Sequence, residues 1–193
     1  AAMQAMALAS PDEAAFITAP LTEELRGAIT DVLDREHQRV IVHGYKELLH
    51  LLASQGLDMS LPLFDTKLAG YLAQPDFHAD NLKQVAEHFL DIHAENAQHP
   101  DQGTLDFGDD DPNEDRLNDL AVIRSLGRRL APVLDEREQC WLLRAVELPV
   151  SRVLYAMERS GAKVDTMRLA DMRDRFAADA RQAQETAWQA AGK

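Results

Sequence analysis

The sequence predicts an α/β fold with a long helical extension. Two observations carry this. The first 45 or so residues alternate short apolar runs with a helical period, and almost everything after them repeats at helical spacing. The chain has 193 residues, 46% of them apolar, which is ample for a core.

Met6–Ala9 and Ala14–Thr18 are short apolar runs separated by Ser10-Pro11-Asp12-Glu13, a turn composition, and together they predict a β-hairpin. Thr22, followed by Glu23 and Glu24, opens a helix whose apolar face is Leu25, Ala28, Ile29, Val32 and Leu33. Arg39-Val40-Ile41-Val42 is β-branched and compact, a candidate buried strand. Lys46 to Ser54 returns to helical periodicity and closes at Gly56. Asp65 suits the N-cap of a helix over Thr66–Ala73, and Asp80 suits that of the stripe Leu82, Val85, Ala86, Phe89 and Leu90.

Residues 94–115, "AENAQHPDQGTLDFGDDDPNED", read as a long acidic loop. Helical signals resume with Leu117, Leu120, Ile123 and Leu130. The block from about 136 holds two helical patterns. One carries Leu142, Leu143, Val146, Val150, Val153, Leu154 and Met157, is kinked or restarted by Pro149, and stops at Ser160-Gly161. The other opens at Asp165 and runs through Met167, Leu169, Met172 and Phe176 to Trp188.

Charge narrows the function. A net charge of −13 argues against a surface that grips nucleic acid, because such surfaces neutralise phosphates with Lys and Arg. One cysteine, Cys140, leaves no internal disulfide and suits a reducing compartment. No membrane span or signal peptide is expected, and a cytoplasmic location follows. Met3 stands behind two alanines, so the chain reads as an excised fragment.

Metal-ligand patterns are poor. His88 and His93 are five apart, about 140° around a helix, so they share no face. His43 and His50 have no Cys or carboxylate at ligand spacing. The "GDDDPNED" run lacks the central glycine and terminal Glu of a calcium loop. A two-metal nuclease needs several acids converging from different elements. No D-x-E lies on a predicted strand, Glu47 is followed by Leu48-Leu49, and the late helix offers Asp119.

Two stretches nonetheless resemble a known family. "VIVHGYKELLHLLASQGLDMSLPLFDTKLAGYLAQPD" with "DNLKQVAEHFL" resembles the 3′–5′ exonuclease region of bacterial family A DNA polymerases, and "ELPVSRVLYAMERSGAKVD" is similar to the segment leading to the polymerase thumb. The likeness runs from about residue 5 to 193, and the acidic insert is like that of actinobacterial members. It implies an RNase H-like exonuclease fold, a mixed sheet flanked by helices. It also implies truncation at the first strand, which carries the family's D-x-E pair and would lie upstream. Residues 1–135 would form the exonuclease-like domain and 136–193 the link and thumb start.

Carried over by position, the nuclease acids mostly fail to appear. The Asp two residues after the family's Lys is Leu48 here, the Tyr four residues before the late-helix Asp is Asp115, and only Asp119 matches. The resemblance therefore implies a structural, proofreading-deficient domain with no catalytic or metal-binding residues of its own. Mg²⁺ would serve the whole polymerase only. Its partner would be the polymerase domain of the same chain, with DNA contact weak or absent here. A missing strand would expose sheet surface and favour a dimer of the fragment. Two rivals stand beside this reading: an active nuclease using Glu47 and Asp119, and an acidic helical interaction module.

Overall fold

A computed structural model describes residues 5–10, 13–79, 81–91 and 112–192, the side chains of 38 and 112–114 excepted. Strand β1 (Ala5–Ala9) pairs antiparallel with β2 (Ala14–Thr18), Ala7 opposite Phe16. The Ser10 amide donates to the Glu13 carbonyl at 2.8 Å and closes the expected hairpin. Helix α1 (Glu23–Glu36) is capped by the Thr22 hydroxyl, which accepts from the Leu25 amide. Of its expected apolar face only Ile29 and Leu33 are buried, whereas Leu25 and Val32 are exposed.

The predicted strand at 39–42 is shorter than its composition suggested. A 3₁₀ turn takes His37–Arg39, and only Ile41–Val42 forms β3, parallel to β4 (Phe64–Asp65). The Val40 amide is committed to the His37 carbonyl, and only its carbonyl reaches across, accepting the Leu63 amide at 3.0 Å. Both antiparallel and parallel pairings are therefore present. Among the described residues, however, they form two separate two-stranded sheets in place of one mixed sheet.

Helix α2 (Tyr45–Ala53) follows β3 through Gly44, whose φ of 76° is the left-handed conformation that only glycine adopts at little cost. Its exit at Gly56 is left-handed as expected. Helix α3 (Thr66–Ala73) starts at the Asp65 cap as read from the sequence. The next helix, α4 (Leu82–Leu90), is capped by Asn81 and not by Asp80: Asn81 Oδ1 accepts the Gln84 amide at 3.0 Å, and Asp80 lies outside the described residues.

Most of the expected acidic loop also lies outside them, but its last four residues are helical. Helix α5 (Pro112–Glu136) begins at Pro112, where a missing N–H costs nothing. Its core face is Val122, Leu126, Leu130 and Leu134, all fully buried at a four-residue spacing. Each such burial stabilises by roughly 1.5–3 kcal/mol. Against β3 the helix packs closely, since a Cβ on Gly127 would come within 3.0 Å of Ile41 Cδ1.

Pro149 does not restart the next helix, which is unbroken from Cys140 to Ser160. A short helix α6 (Cys140–Leu142) widens into a π-helical turn over Leu143–Glu147 and continues as α7 (Leu148–Ser160). The Leu148 amide reaches back five residues to the Leu143 carbonyl. Such a widened turn gives the proline ring room that an α-helical turn denies it. The α7 face that is buried holds Leu148, Ser151 and Tyr155, while the expected stripe residues Val150, Val153, Leu154 and Met157 are exposed.

The chain divides into two compact units, 1–158 and 159–193. The second is built on α8 (Thr166–Ala190), capped by Asp165, whose carboxylate accepts from the Arg168 amide.

Candidate functional site

The first turn of α2, helix α3, residues 77–79 and α7 enclose a cleft of about 360 Å³. Its walls are mainly apolar, with Leu68, Phe77, Val85 and Leu154, and its charged members are Lys46, Glu47, Lys67 and Asp65. Neither lysine points a bare charge into it. Lys67 Nζ donates to Glu47 Oε1 at 2.7 Å, and Lys46 Nζ donates to Glu158 Oε1 at 2.6 Å. Burial resists ionisation of Glu47, but the Lys67 hydrogen bond, its own backbone amide and Lys46 together take its carboxyl below the ordinary value.

The floor of the cleft is fixed by Asp65, which is only 1% exposed. One carboxylate serves two helices. It accepts the Lys67 amide at 2.8 Å at the start of α3 and, from 20 residues upstream, the Gly44 and Tyr45 amides at 3.0 and 2.6 Å at the start of α2. Two helix N-termini converge on one buried anion, so charge and orphan donors are satisfied together. Thr66 adds a second tie, donating to the Val42 carbonyl while His43 Nδ1 stands 2.9 Å from its hydroxyl. With that hydroxyl proton committed, His43 Nδ1 is the donor.

Helix α7 is stapled onto this assembly by Arg152. Its guanidinium donates to both carboxylate oxygens of Asp58, at 3.1 and 2.5 Å, to the Met59 carbonyl at 2.7 Å and to the Tyr45 hydroxyl at 3.2 Å. Glu158, at the far end of α7, takes His50 Nε2 at 2.7 Å as well as Lys46. These ties span about a hundred positions, and no local spacing announces them.

Of the positions weighed from the sequence, Glu47 lines the cleft, whereas Leu48, Asp115 and Asp119 are not among its lining residues. Leu48 is on α2, half-buried and packed against the core. Asp115 and Asp119 sit one turn apart on α5, and partial burial, then the like charge of Asp115, holds the Asp119 carboxyl above its ordinary value. Glu47, the alternative ligand, is bound to Lys67. His88 Nε2 meets Gln74 Oε1 at 2.7 Å and its ring stacks on Phe77, and His93 lies outside the described residues. Among the described residues no three His, Cys, Asp or Glu side chains gather as a metal cage.

Residues 1–96 match the family model described as the DNA polymerase I, ribonuclease H-like domain. DNA polymerase I of Mycobacterium tuberculosis (strain ATCC 25618 / H37Rv) is 32% identical over 198 residues, covering 98% of this chain. The chain is an exonuclease-like region of DNA polymerase I, with the start of the polymerase portion. It is 28% identical over 167 residues to DNA polymerase I of Bacillus subtilis (strain 168), covering 83% of this chain. Among solved structures, the POL domain of Pol1 from M. smegmatis, in complex with DNA primer-template and dNTP, superposes with a TM-score of 0.73. It shows 26% sequence identity over 98% of this chain. The exonuclease-like region spans 22% of the M. tuberculosis relative, 19% of the B. subtilis one and 31% of the solved chain.

Proposed function

We propose that this region is a structural, proofreading-deficient exonuclease-like domain of a cytoplasmic DNA polymerase I that acts in replication and repair. One observation carries the reading. At the position where the family resemblance implies a metal-holding Asp, Leu48 packs its side chain against the hydrophobic core, and the adjacent Glu47 is tied to Lys67. Asp119 alone retains the acid, and it faces a second aspartate.

What persists is a scaffold. The Asp65 double cap and the Arg152 staple hold α2, α3 and α7 in fixed register. Loss of an exposed catalytic acid costs a fold little, whereas loss of core packing costs kilocalories. Residues 136–193 lead into the thumb of the polymerase portion. That portion carries the primer extension, the Mg²⁺ requirement and the DNA contact, and in this region DNA contact is weak or absent. Self-association of the isolated chain through the open edges of its short sheets belongs to the same reading.

The test is direct. End-labelled single-stranded DNA incubated with the protein and Mg²⁺ or Mn²⁺ stays intact. Degradation that an Asp119→Ala variant abolishes overturns the reading.

A further inference from the structure

A second cavity, of about 490 Å³, shares no lining residue with the cleft described above. Its size falls within the roughly 300–1,000 Å³ of small-molecule sites. Three segments far apart in the chain meet around it. His37 comes from the 3₁₀ turn that follows α1, and Ser60, Leu61 and Leu63 come from the loop ahead of β4. Arg144 and Leu148 come from the widened turn between α6 and α7 and the residue after it. Such π-helical turns are frequent at functional sites, and this one carries Arg144 as its second residue.

The polar members of the wall are His37, Ser60 and Arg144, and none of the described lining residues is acidic. Among the described residues neither the Arg144 guanidinium nor the Ser60 hydroxyl has a hydrogen-bond or ion-pair partner. Lys46, Lys67 and Arg152, by contrast, are each bound to a carboxylate. His37 Nδ1 lies 2.8 Å from the Asp34 carbonyl, which can only accept. Nδ1 therefore holds the hydrogen, and Nε2 is left as the free ring nitrogen.

We propose that this cavity binds an organic phosphomonoester with an apolar body, its phosphate held by Arg144, Ser60 and His37. The inference goes beyond the reading given under Proposed function, which uses none of these residues. The donor set favours phosphate over carboxylate. An arginine fork by itself engages both oxygens of a carboxylate. A phosphomonoester has three terminal oxygens, so Ser60 donates to the third. Its monoanion also carries a proton, lost at about pH 6, which His37 Nε2 accepts. Leu61, Leu63 and Leu148 then cover the ester group. Among the described lining residues no Asn, Gln, Phe, Tyr or Trp is present to pair with or stack on a nucleobase, which favours an apolar ester over a nucleotide. The net charge of −13 does not bar an anion here. At physiological salt, charges farther off than about 8 Å are largely screened, and the wall itself is cationic or neutral.

Diethylpyrocarbonate acylates an accessible neutral imidazole, so shielding of His37 in the complete polymerase polypeptide reads occupancy of the cavity. Phenyl phosphate at about ten times its half-saturating concentration leaves roughly a tenth of the sites free, so acylation of His37, followed by peptide mass mapping, is expected to slow about tenfold. His78, exposed in the other cleft, keeps its rate and reports the reagent. Arg144 is exposed, so Arg144→Gln leaves the core alone, and it is expected to abolish the protection. A His37 equally fast with and without phenyl phosphate overturns the proposal, as does protection that survives Arg144→Gln. Equal protection by inorganic phosphate, or stronger protection by a nucleoside monophosphate, overturns the assignment of an apolar ester. A His37 that is unreactive before any ligand is added also overturns it, because the cavity is then closed in the complete polypeptide.

Discussion

The Asp65 carboxylate accepts the backbone amide of Tyr45 across 2.6 Å, joining the start of α3 to the start of α2. Both residues are buried, and the same carboxylate also holds the Gly44 and Lys67 amides. Asp65→Ala leaves several buried donors without an acceptor, each costing about 1–3 kcal/mol. A loss of at least about 3 kcal/mol in urea-induced unfolding is therefore expected. Asp65→Asn keeps one acceptor oxygen and should fall between the two. An alanine variant within 1 kcal/mol of the parent would show that Asp65 is only a local cap.

The staple between Tyr45 and Arg152 makes a pairwise prediction. Tyr45→Phe removes the hydroxyl that donates to the Met59 carbonyl and accepts from Arg152, for an expected cost of about 1–2 kcal/mol. Arg152→Lys cannot reproduce the paired contact with Asp58 and should cost a similar amount. A double-mutant cycle with Arg152→Ala is expected to give a coupling of 0.5 kcal/mol or more. Strict additivity would dissolve the network into independent contacts.

A single acid at position 48 is not expected to confer nuclease activity. Leu48→Asp places a carboxylate where a half-buried leucine contacts the core, so an unfolding free energy lower by about 1–3 kcal/mol is expected. With Mg²⁺ or Mn²⁺ the variant is expected to leave single-stranded DNA uncut, since two-metal chemistry needs several acids converging from different elements and one substitution adds only one. Metal-dependent cutting by this single variant would mean that the remaining ligands are in place.

His43 supplies a pH dependence. Burial, resisted by the Asp65 charge, lowers its pKa in the folded state. The unfolded chain then holds more protons as pH falls through the ordinary histidine value of about 6.5, and stability is lost on the acid side of that value. It is fully present above. His43→Gln should therefore flatten the change in urea midpoint between pH 7.5 and pH 5.5. An NMR titration should place His43 below the unfolded histidine value. A folded His43 that titrates above 6.5 would reverse the sign.

Sequence reasoning reached the hairpin, α1, α2, α3 and α8 because each is announced locally. Ser10 to Glu13 spells a turn, Thr22, Asp65 and Asp165 are caps with helical stripes behind them, and Gly56 is a left-handed exit. It missed where the ends of such signals compete. Asn81 outdoes Asp80 as a cap because its side chain reaches the Gln84 amide, and Pro112 starts a helix inside an acidic run. The outward face of α7 marks another limit. Hydrophobic spacing announces a helix but not which of its apolar residues a neighbour covers, and Val153 and Met157 are exposed here.

The part played by Asp65 divides along the same line. Its place before an apolar helix, the leucine at position 48 and the likeness to a polymerase exonuclease region are properties of residue order, and the sequence determined them alone. That the same carboxylate also holds Tyr45, that Arg152 clasps Asp58 and Tyr45, and that Glu47 is occupied by Lys67 were decided only by the tertiary structure. Those pairs are separated by 20 to 107 positions. Local propensity acts within a few residues, whereas these contacts form only after packing has brought distant elements together and removed the water that would otherwise satisfy them.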